Sequence, residues 1–432
     1  MAATIFFLSY GLIITERINR SIIALLGAGA TIITGLLTQE EAIRGIDFNT
    51  IALLTGMMVL VSISRRCGMF EYLAVWSAKK GRAQPWAMLA LLSAVTAVVS
   101  AFLDNVTTVL LIAPVTLAVT RQLEAPAYPF LFAEIFASNI GGTATLIGDP
   151  PNIIIGSAAD LSFNDFVVHL APVIVIVMLV QLLLTHLIWG RQLRATPEAR
   201  ARVMALDERS MIVDPKLMRM SLVILGAVTA AFVLARPLHL EPGTIALFGA
   251  AILMLCHNIE HHRDREQQIS KVTATFGDVD WITIFFFIGL FVIVHAVDVA
   301  GITDLAARQL LAATGEDPAA TTLAILWGSA ILSAIVDNIP FVAAMIPLIK
   351  EAAPHLGGPE HLGPLWWALS LGACLGGNGT LIGASANLAV AGIAERNGVA
   401  FGFVAYTKNA FGLMLISIAI CTVYLWLRYF DL

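Results

Sequence analysis

Two Asp-Asn pairs stand in apolar surroundings: Asp104-Asn105 within SAFLDNVTTVLLIAP and Asp337-Asn338 within SAIVDNIPFVAAMIP. A charged Asp at the centre of a membrane helix costs roughly 2.5–3.5 kcal/mol on insertion scales, so two in matching surroundings point to ion or proton chemistry. Two Gly-rich segments share this character: GGTATLIGDPPN, Gly141 to Asn152, and GGNGTLIGASAN, Gly376 to Asn387. Paired glycines interrupt a helix, and Thr143, Thr145, Asn378 and Thr380 then offer hydroxyl and amide groups to a solute. Asn105, Thr107, Thr108, Asn152, Asn338 and Asn387 complete the candidate solute-binding set. Asp104, Asp337 and Asp149 are candidate proton sites, and Glu134, inside an apolar span, is a candidate relay.

Each feature also has a plainer reading. Aspartate caps the helix that follows it. Glu134 pairs with a helix neighbour, and a Gly-rich kink is ordinary packing when Ser and Thr re-satisfy its backbone. One such coincidence decides nothing; the recurrence of both features favours a site. No GK[ST] follows the glycines, which argues against a nucleotide P-loop.

The elements that carry these residues are duplicated. Asp47, Gly56, Gly68 and Asp104 recur at Asp280, Gly289, Gly301 and Asp337, each 233 positions on; the Gly-rich segments recur at a spacing of 235. Glu134 falls on Leu369 and lacks a counterpart. An internal duplication with interrupted helices in corresponding positions is the sequence pattern of a transporter built from two repeats.

Composition agrees with a membrane protein. The chain of 432 residues is 58% hydrophobic and 13% charged, against about 25% charged in a soluble domain. The net charge of -5 says little, and the four cysteines show no CxxC or metal spacing. Apolar spans of membrane length are expected at about 3–16, 21–38, 50–66, 127–159 and 166–190, and again at 219–235, 243–259, 281–300, 365–395 and 410–427. The first span reads as a retained helix, because another follows at once and it has no basic leader. The Asp-Asn segments, about 85–119 and 319–350, read as re-entrant hairpins whose exit arms Pro114 and Pro347 interrupt.

Placing the polar linker 191–218 in the cytoplasm puts most Lys and Arg inside. Arg44, Arg236, Arg308, Lys350 and Arg428 are the five left outside out of 25 cations, a bias in the positive-inside sense. Arg17, Arg20, Arg65, Arg66, Arg82, Arg263 and Arg396 fall inside. Five spans per repeat is an odd number, so the repeats are expected to be inverted, with both termini outside. Trp366 and Trp367 read as an outer aromatic belt, His295 and Asp298 as interfacial, and His169 and His186 as lacking clustered partners. The charges around 194–209 read as a solvated loop.

FLDNVTTVLLIAP, followed by FAEIFASNIGGTATLIGDPPNIIIG, closely resembles the ArsB and NhaD branch of the ion transporter superfamily. That branch includes bacterial arsenite efflux pumps, sodium/proton antiporters and the melanosomal P protein, and the resemblance spans essentially the whole chain. It implies that hairpin tips and broken-helix loops converge near mid-membrane, and that one bundle transports while another holds a homodimer contact. It also implies an arsenite-stimulated ATPase subunit as a candidate partner, although this chain carries no ATP motif. The more distant dicarboxylate transporters carry Ser-Asn-Thr at the tips. Here Asp104-Asn105-Val106 and Asp337-Asn338-Ile339 depart from that pattern. An ionised Asp repels a carboxylate, and no Lys or Arg lies in either motif to compensate.

The expectation is therefore an all-α polytopic membrane protein of two inverted repeats, 1–190 and 219–432, in the bacterial inner membrane. It is expected to be a secondary transporter rather than an enzyme, needing no cofactor beyond the proton-motive force and binding no nucleic acid. Arsenite and antimonite, as neutral As(OH)3 and Sb(OH)3, suit hydroxyl, amide and carboxylate partners and would leave in exchange for protons. A sodium/proton antiporter is the alternative, marked by sodium-dependent proton flux without arsenite movement. A membrane-embedded enzyme is a third, marked by product formation; no metal cluster or nucleophile–base motif supports it.

Overall fold

A computed structural model describes residues 1–15, 17–259, 265–358 and 361–430. Arg263 and the end of the first expected span, Glu16, lie outside the described residues. The described chain is helical with no strand. The first half contains α1 (Ala2–Ile14), α2 (Arg20–Ile33), α3 (Gln39–Arg44), α4 (Phe48–Ser64), α5 (Met69–Lys80), α6 (Pro85–Phe102), α7 (Asn105–Gln122), α8 (Ala127–Thr143), α9 (Pro150–Ala159), α10 (Phe163–His169) and α11 (Ala171–Trp189). The linker holds α12 (Pro197–Met204). The second half contains α13 (Pro215–Val233), α14 (Ala235–Leu238), α15 (Pro242–Ile259), α16 (Arg265–Gly277), α17 (Trp281–Val299), α18 (Ile302–Thr314), α19 (Pro318–Ser333), α20 (Asn338–Ala352), α21 (Gly363–Gly376), α22 (Ser385–Arg396) and α23 (Phe403–Tyr429).

Seven helices among the described residues are long and apolar enough to cross a membrane: α4, α6, α11, α13, α15, α17 and α23. α1, α2 and α19 are shorter apolar helices. α6 alone reaches spanning length, where the sequence reading made it one arm of a hairpin. Pro114 and Pro347 do not interrupt their helices: α7 and α20 run through them. A proline removes one backbone donor and bends a helix, and close packing on neighbours holds these two together.

Local signals repeat with the sequence. Asp47 and Asp280 cap α4 and α17 by accepting from the backbone N–H of Thr50 and Thr283, each at 3.1 Å. Gly68 and Gly301 enter α5 and α18 at φ of 81° and 70°, a conformation that a β-carbon disfavours. Packing repeats with the halves exchanged: α4 lies on α15 as α17 lies on α2, α6 on α8 as α19 on α21, and α7 on α22 as α20 on α9. Small residues permit the closest approaches. A β-carbon at Gly141 would stand 2.1 Å from the Ala97 carbonyl oxygen, and one at Gly376 would stand 2.5 Å from that of Ala330.

The linker keeps Arg194, Glu198, Arg202 and Arg209 exposed, as a solvated segment would, but it is not all loop. Ala199 and Val203 of α12 are fully buried. Lys79 donates to the Leu206 carbonyl at 2.9 Å and pairs with Glu208, and the Val213 N–H donates to the Cys67 carbonyl at 2.9 Å. Apolar α12 positions and these polar ties strap it to α5 and the end of α4. Trp366 and Trp367 do not form a lipid-facing belt: both are buried, and Trp367 stacks on His169 at 4.8 Å. Each histidine of the first half has a partner: His169 meets the Tyr429 hydroxyl at 2.5 Å, and His186 lies 4.4 Å from the Trp86 ring.

Candidate functional site

The two broken helices meet inside the molecule. α8 ends at Thr143 and resumes, after the loop, as α9; α21 and α22 repeat the break. An interrupted helix frees carbonyl groups that must find donors. Asn152 donates to the Thr143 and Thr145 carbonyls at 3.1 and 2.9 Å, and Asn387 donates to those of Gly377 and Thr380 at 2.8 and 2.9 Å. The Thr145 and Thr380 hydroxyls donate across to the carbonyls of Ala101 and Ala334, at the ends of α6 and α19. Thr143 donates back to the Asn139 carbonyl. The amide N–H groups of Asn152 and Asn387 and the hydroxyls of Thr143, Thr145 and Thr380 thus hold the loops in shape.

An amide cluster joins the halves. Asn139, on α8, donates to Asn378 Oδ1 at 2.9 Å and to Asn387 Oδ1 at 3.0 Å, and accepts from Asn105 at 3.0 Å. All four are buried. Sequence reasoning missed Asn139, because its counterpart 235 positions on is Cys374 and the motif comparison therefore passed over it. On the other side, Cys374 lies 3.6 Å from Asn152 Oδ1, which also accepts from Ser370 at 2.6 Å.

The acids separate into distinct environments. Asp104 caps α7, accepting from the Thr107 N–H at 2.8 Å. Asp337 caps α20 and accepts from Arg20 Nη1 and the Ser385 hydroxyl, both at 2.9 Å. Arg20 also donates to Ser385 and to Thr283 and lies over the Phe286 ring at 5.0 Å. The sequence reading gave the Asp-Asn motifs no cation; the fold brings one from the start of α2, 317 positions away. Asp149 is buried, accepts from Asn338 at 3.3 Å through Oδ1, and leaves Oδ2 without a partner. Glu134 is equally buried; it accepts from Thr116 and leaves Oε2 without a partner. The Thr108 hydroxyl is buried and unpartnered as well.

A cavity of about 170 Å³ opens beside the tip of α7, lined among others by Asp104, Thr107, Asp280, Arg20, Arg65 and Ser385. Ile147 and Pro150, which flank Asp149, form part of its wall. Arg65 and Arg66 pair with Asp278 at 2.6 and 2.8 Å at its rim. Partial burial raises the Asp278 carboxyl, but hydrogen bonds from Arg66 and Ser62 and the Arg65 charge bring it below its ordinary range. Asp47, His295, Asp298 and Lys350 line a second cavity, of about 370 Å³. Asp47 is the counterpart of Asp280, so the duplication has left two related clefts with different linings.

The family profile described as CitMHS, citrate transporter, matches residues 10–372. A protein of Mycobacterium tuberculosis described as an uncharacterized transporter is 44% identical, over 100% of this chain and 99% of its own length. The P protein of Homo sapiens is 35% identical over 96% of this chain, which spans 58% of that protein. Among solved structures, the YdaH transporter of Alcanivorax borkumensis aligns with a TM-score of 0.61 at 14% identity, covering 94% of this chain and 89% of that one. MtrF of Neisseria gonorrhoeae, described within a class of antimetabolite efflux pumps, aligns with a TM-score of 0.55 at 12% identity, covering 93% and 85%. At those identities the structural likeness concerns fold alone.

Proposed function

The chain belongs to the CitMHS transporter family, and from that premise we propose that it exports arsenite and antimonite, as As(OH)3 and Sb(OH)3, in exchange for protons. The carrying observation is the charge balance at the cavity. Asp104, Asp278 and Asp280 line it, Asp149 lies between the lining Ile147 and Pro150, and the lining guanidinium groups of Arg20 and Arg65 are committed to Asp337 and Asp278. A citrate polyanion would meet like charge with no free guanidinium in that lining, whereas a neutral hydroxylated solute meets the hydroxyls of Ser62, Thr107, Thr283 and Ser385 and carboxylate partners. Citrate, which gives the family its description, is thus not the substrate this reading favours.

The transport cycle we propose uses two inverted repeats in the bacterial inner membrane, with both termini outside. Re-entrant tips at Asp104 and Asp337 and the broken helices move against a scaffold of α4, α15, α2 and α17. The exchange of packing partners between halves supports this architecture. So do the ion pairs: Arg65 and Arg66 with Asp278, Lys79 with Glu208 and Arg202 with Glu124 join groups read as cytoplasmic, and Arg236 with Asp165 joins groups read as external. Sodium/proton exchange is the second reading, favoured by the unpartnered carboxylate oxygens of Asp149 and Glu134.

Ligand binding to the folded state raises thermal stability by mass action. The purified protein in detergent is expected to gain Tm with arsenite or antimonite and to be unmoved by citrate at the same ionic strength. Stabilisation by citrate, or by sodium alone, would displace arsenite from the proposal.

A further inference from the structure

Two positions related by the duplication have diverged, and the divergence assigns the proton. In one, Asn105, Asn139 and Asn378 come together; their counterparts by spacing are Asn338, Cys374 and Thr143, and Asp149 stands where the second half has Ala384. The first is a closed amide cluster in which the Asn139 N–H groups meet Asn378 and Asn387 and its oxygen meets Asn105. Among the described residues no carboxylate stands there; the Tyr406 hydroxyl donates to the Asn378 carbonyl at 3.1 Å. The second keeps a carboxylate, buried, held through Oδ1 by Asn338 and bare at Oδ2.

We propose that Asp149 is the single coupling-proton carrier of this transporter, and that Asp104 and Asp337 organise the site without carrying the proton. This rests on the proton-exchange reading above. Asp337 is tied to Arg20, so its negative charge already has a partner and its loss would strand the guanidinium. Asp104 closes the first turn of α7 through the Thr107 N–H. Asp149 caps the start of α9 by position but makes no side-chain cap bond there, so neither helix closure nor a cation claims its charge. The groups facing it are Cys374 from α21, Asn338 and Asp337 from α20 and Asp104 from α7, with Arg20 from α2 beyond Asp337. Protonation at Oδ2 removes an uncompensated buried charge amid other acids. The step is a proton association: one O–H bond forms on the outward-open protein and breaks on the inward-open one, with no bond made to the solute. Glu134 is set apart, because it faces Thr116 on α7 and not the helix breaks.

The test uses the full chain in liposomes with a pH gradient, following arsenite and a pH dye. Asp149→Asn is expected to abolish gradient-driven arsenite accumulation, and its residual downhill flux to lose its pH dependence. Asp104→Asn and Asp337→Asn are expected to slow transport while accumulation still follows the gradient. Accumulation that persists in Asp149→Asn, or that vanishes in Asp337→Asn with pH dependence intact in Asp149→Asn, overturns the proposal. If Asp149→Asn does not fold, Asp149→Glu should keep coupling with a shifted pH midpoint; an unshifted midpoint overturns it. Should the wild type move sodium and not arsenite, the substrate reading fails while the same variants still decide on Asp149 through sodium-driven dye signals.

Discussion

Asn139, which the motif comparison passed over, helps to join the halves. Its two N–H groups and its oxygen meet three other buried asparagines. Asn139→Leu leaves three amides with lost partners, each costing about 1–3 kcal/mol when buried. Expected is a Tm drop of many degrees in detergent and reduced yield, whatever the substrate; a wild-type Tm would show the cluster to be incidental. Asp278 is a surface case with a defined sign. Its carboxyl lies below its ordinary range in the folded protein, so the Arg65 and Arg66 pairs contribute stability above the unfolded value of roughly 4 and lose it as pH falls further. Asp278→Asn should be less stable than wild type at neutral pH, with the gap closing below about pH 4. A gap unchanged down to that pH would assign the effect to packing. The Asp-Asn pairs and Gly-rich loops were legible because the chain repeats them. Arg20 was not, because nothing in a local motif announces a contact made 317 positions away.

At the scale of elements, the broken helices are positioned by the glycines that let them press on α6 and α19. Gly141→Ala drives a β-carbon to 2.1 Å from the Ala97 carbonyl oxygen, and Gly376→Ala to 2.5 Å from that of Ala330. Backbone cannot yield as a side-chain tip can, so each should cost about 1–3 kcal/mol by overpacking. Gly226→Ala, with open space at its position, is the control and should match wild type in melting temperature. Equal Tm values for all three variants would refute close packing at the breaks. Helix existence was legible from apolar length. The passage of α7 and α20 through Pro114 and Pro347 was not, because local proline chemistry says nothing of the neighbours that hold a bent helix together. The burial of Trp366 and Trp367 was hidden for a like reason: a belt position and a core position share one residue type, and the His169 stack decides between them.

At the scale of the molecule, the halves are alike in path and unlike in chemistry. Exchanged packing gives a frame able to present one site to two sides, while Asp149 against Ala384, Asn139 against Cys374 and Glu134 against Leu369 make the contents of that frame one-sided. The duplication was legible in the spacing; the linker's grip on α5 was not, since its charges resemble those of any exposed loop. The central claim is that a proton gradient drives a neutral solute through this frame. The direct measurement is arsenite accumulation in sealed vesicles holding the purified full chain, with an acid interior imposed at fixed sodium and citrate and a protonophore added midway. Accumulation that appears with the gradient, collapses with the protonophore and is untouched by citrate is the predicted result; citrate accumulation without arsenite movement, or arsenite movement indifferent to the gradient, would contradict the account.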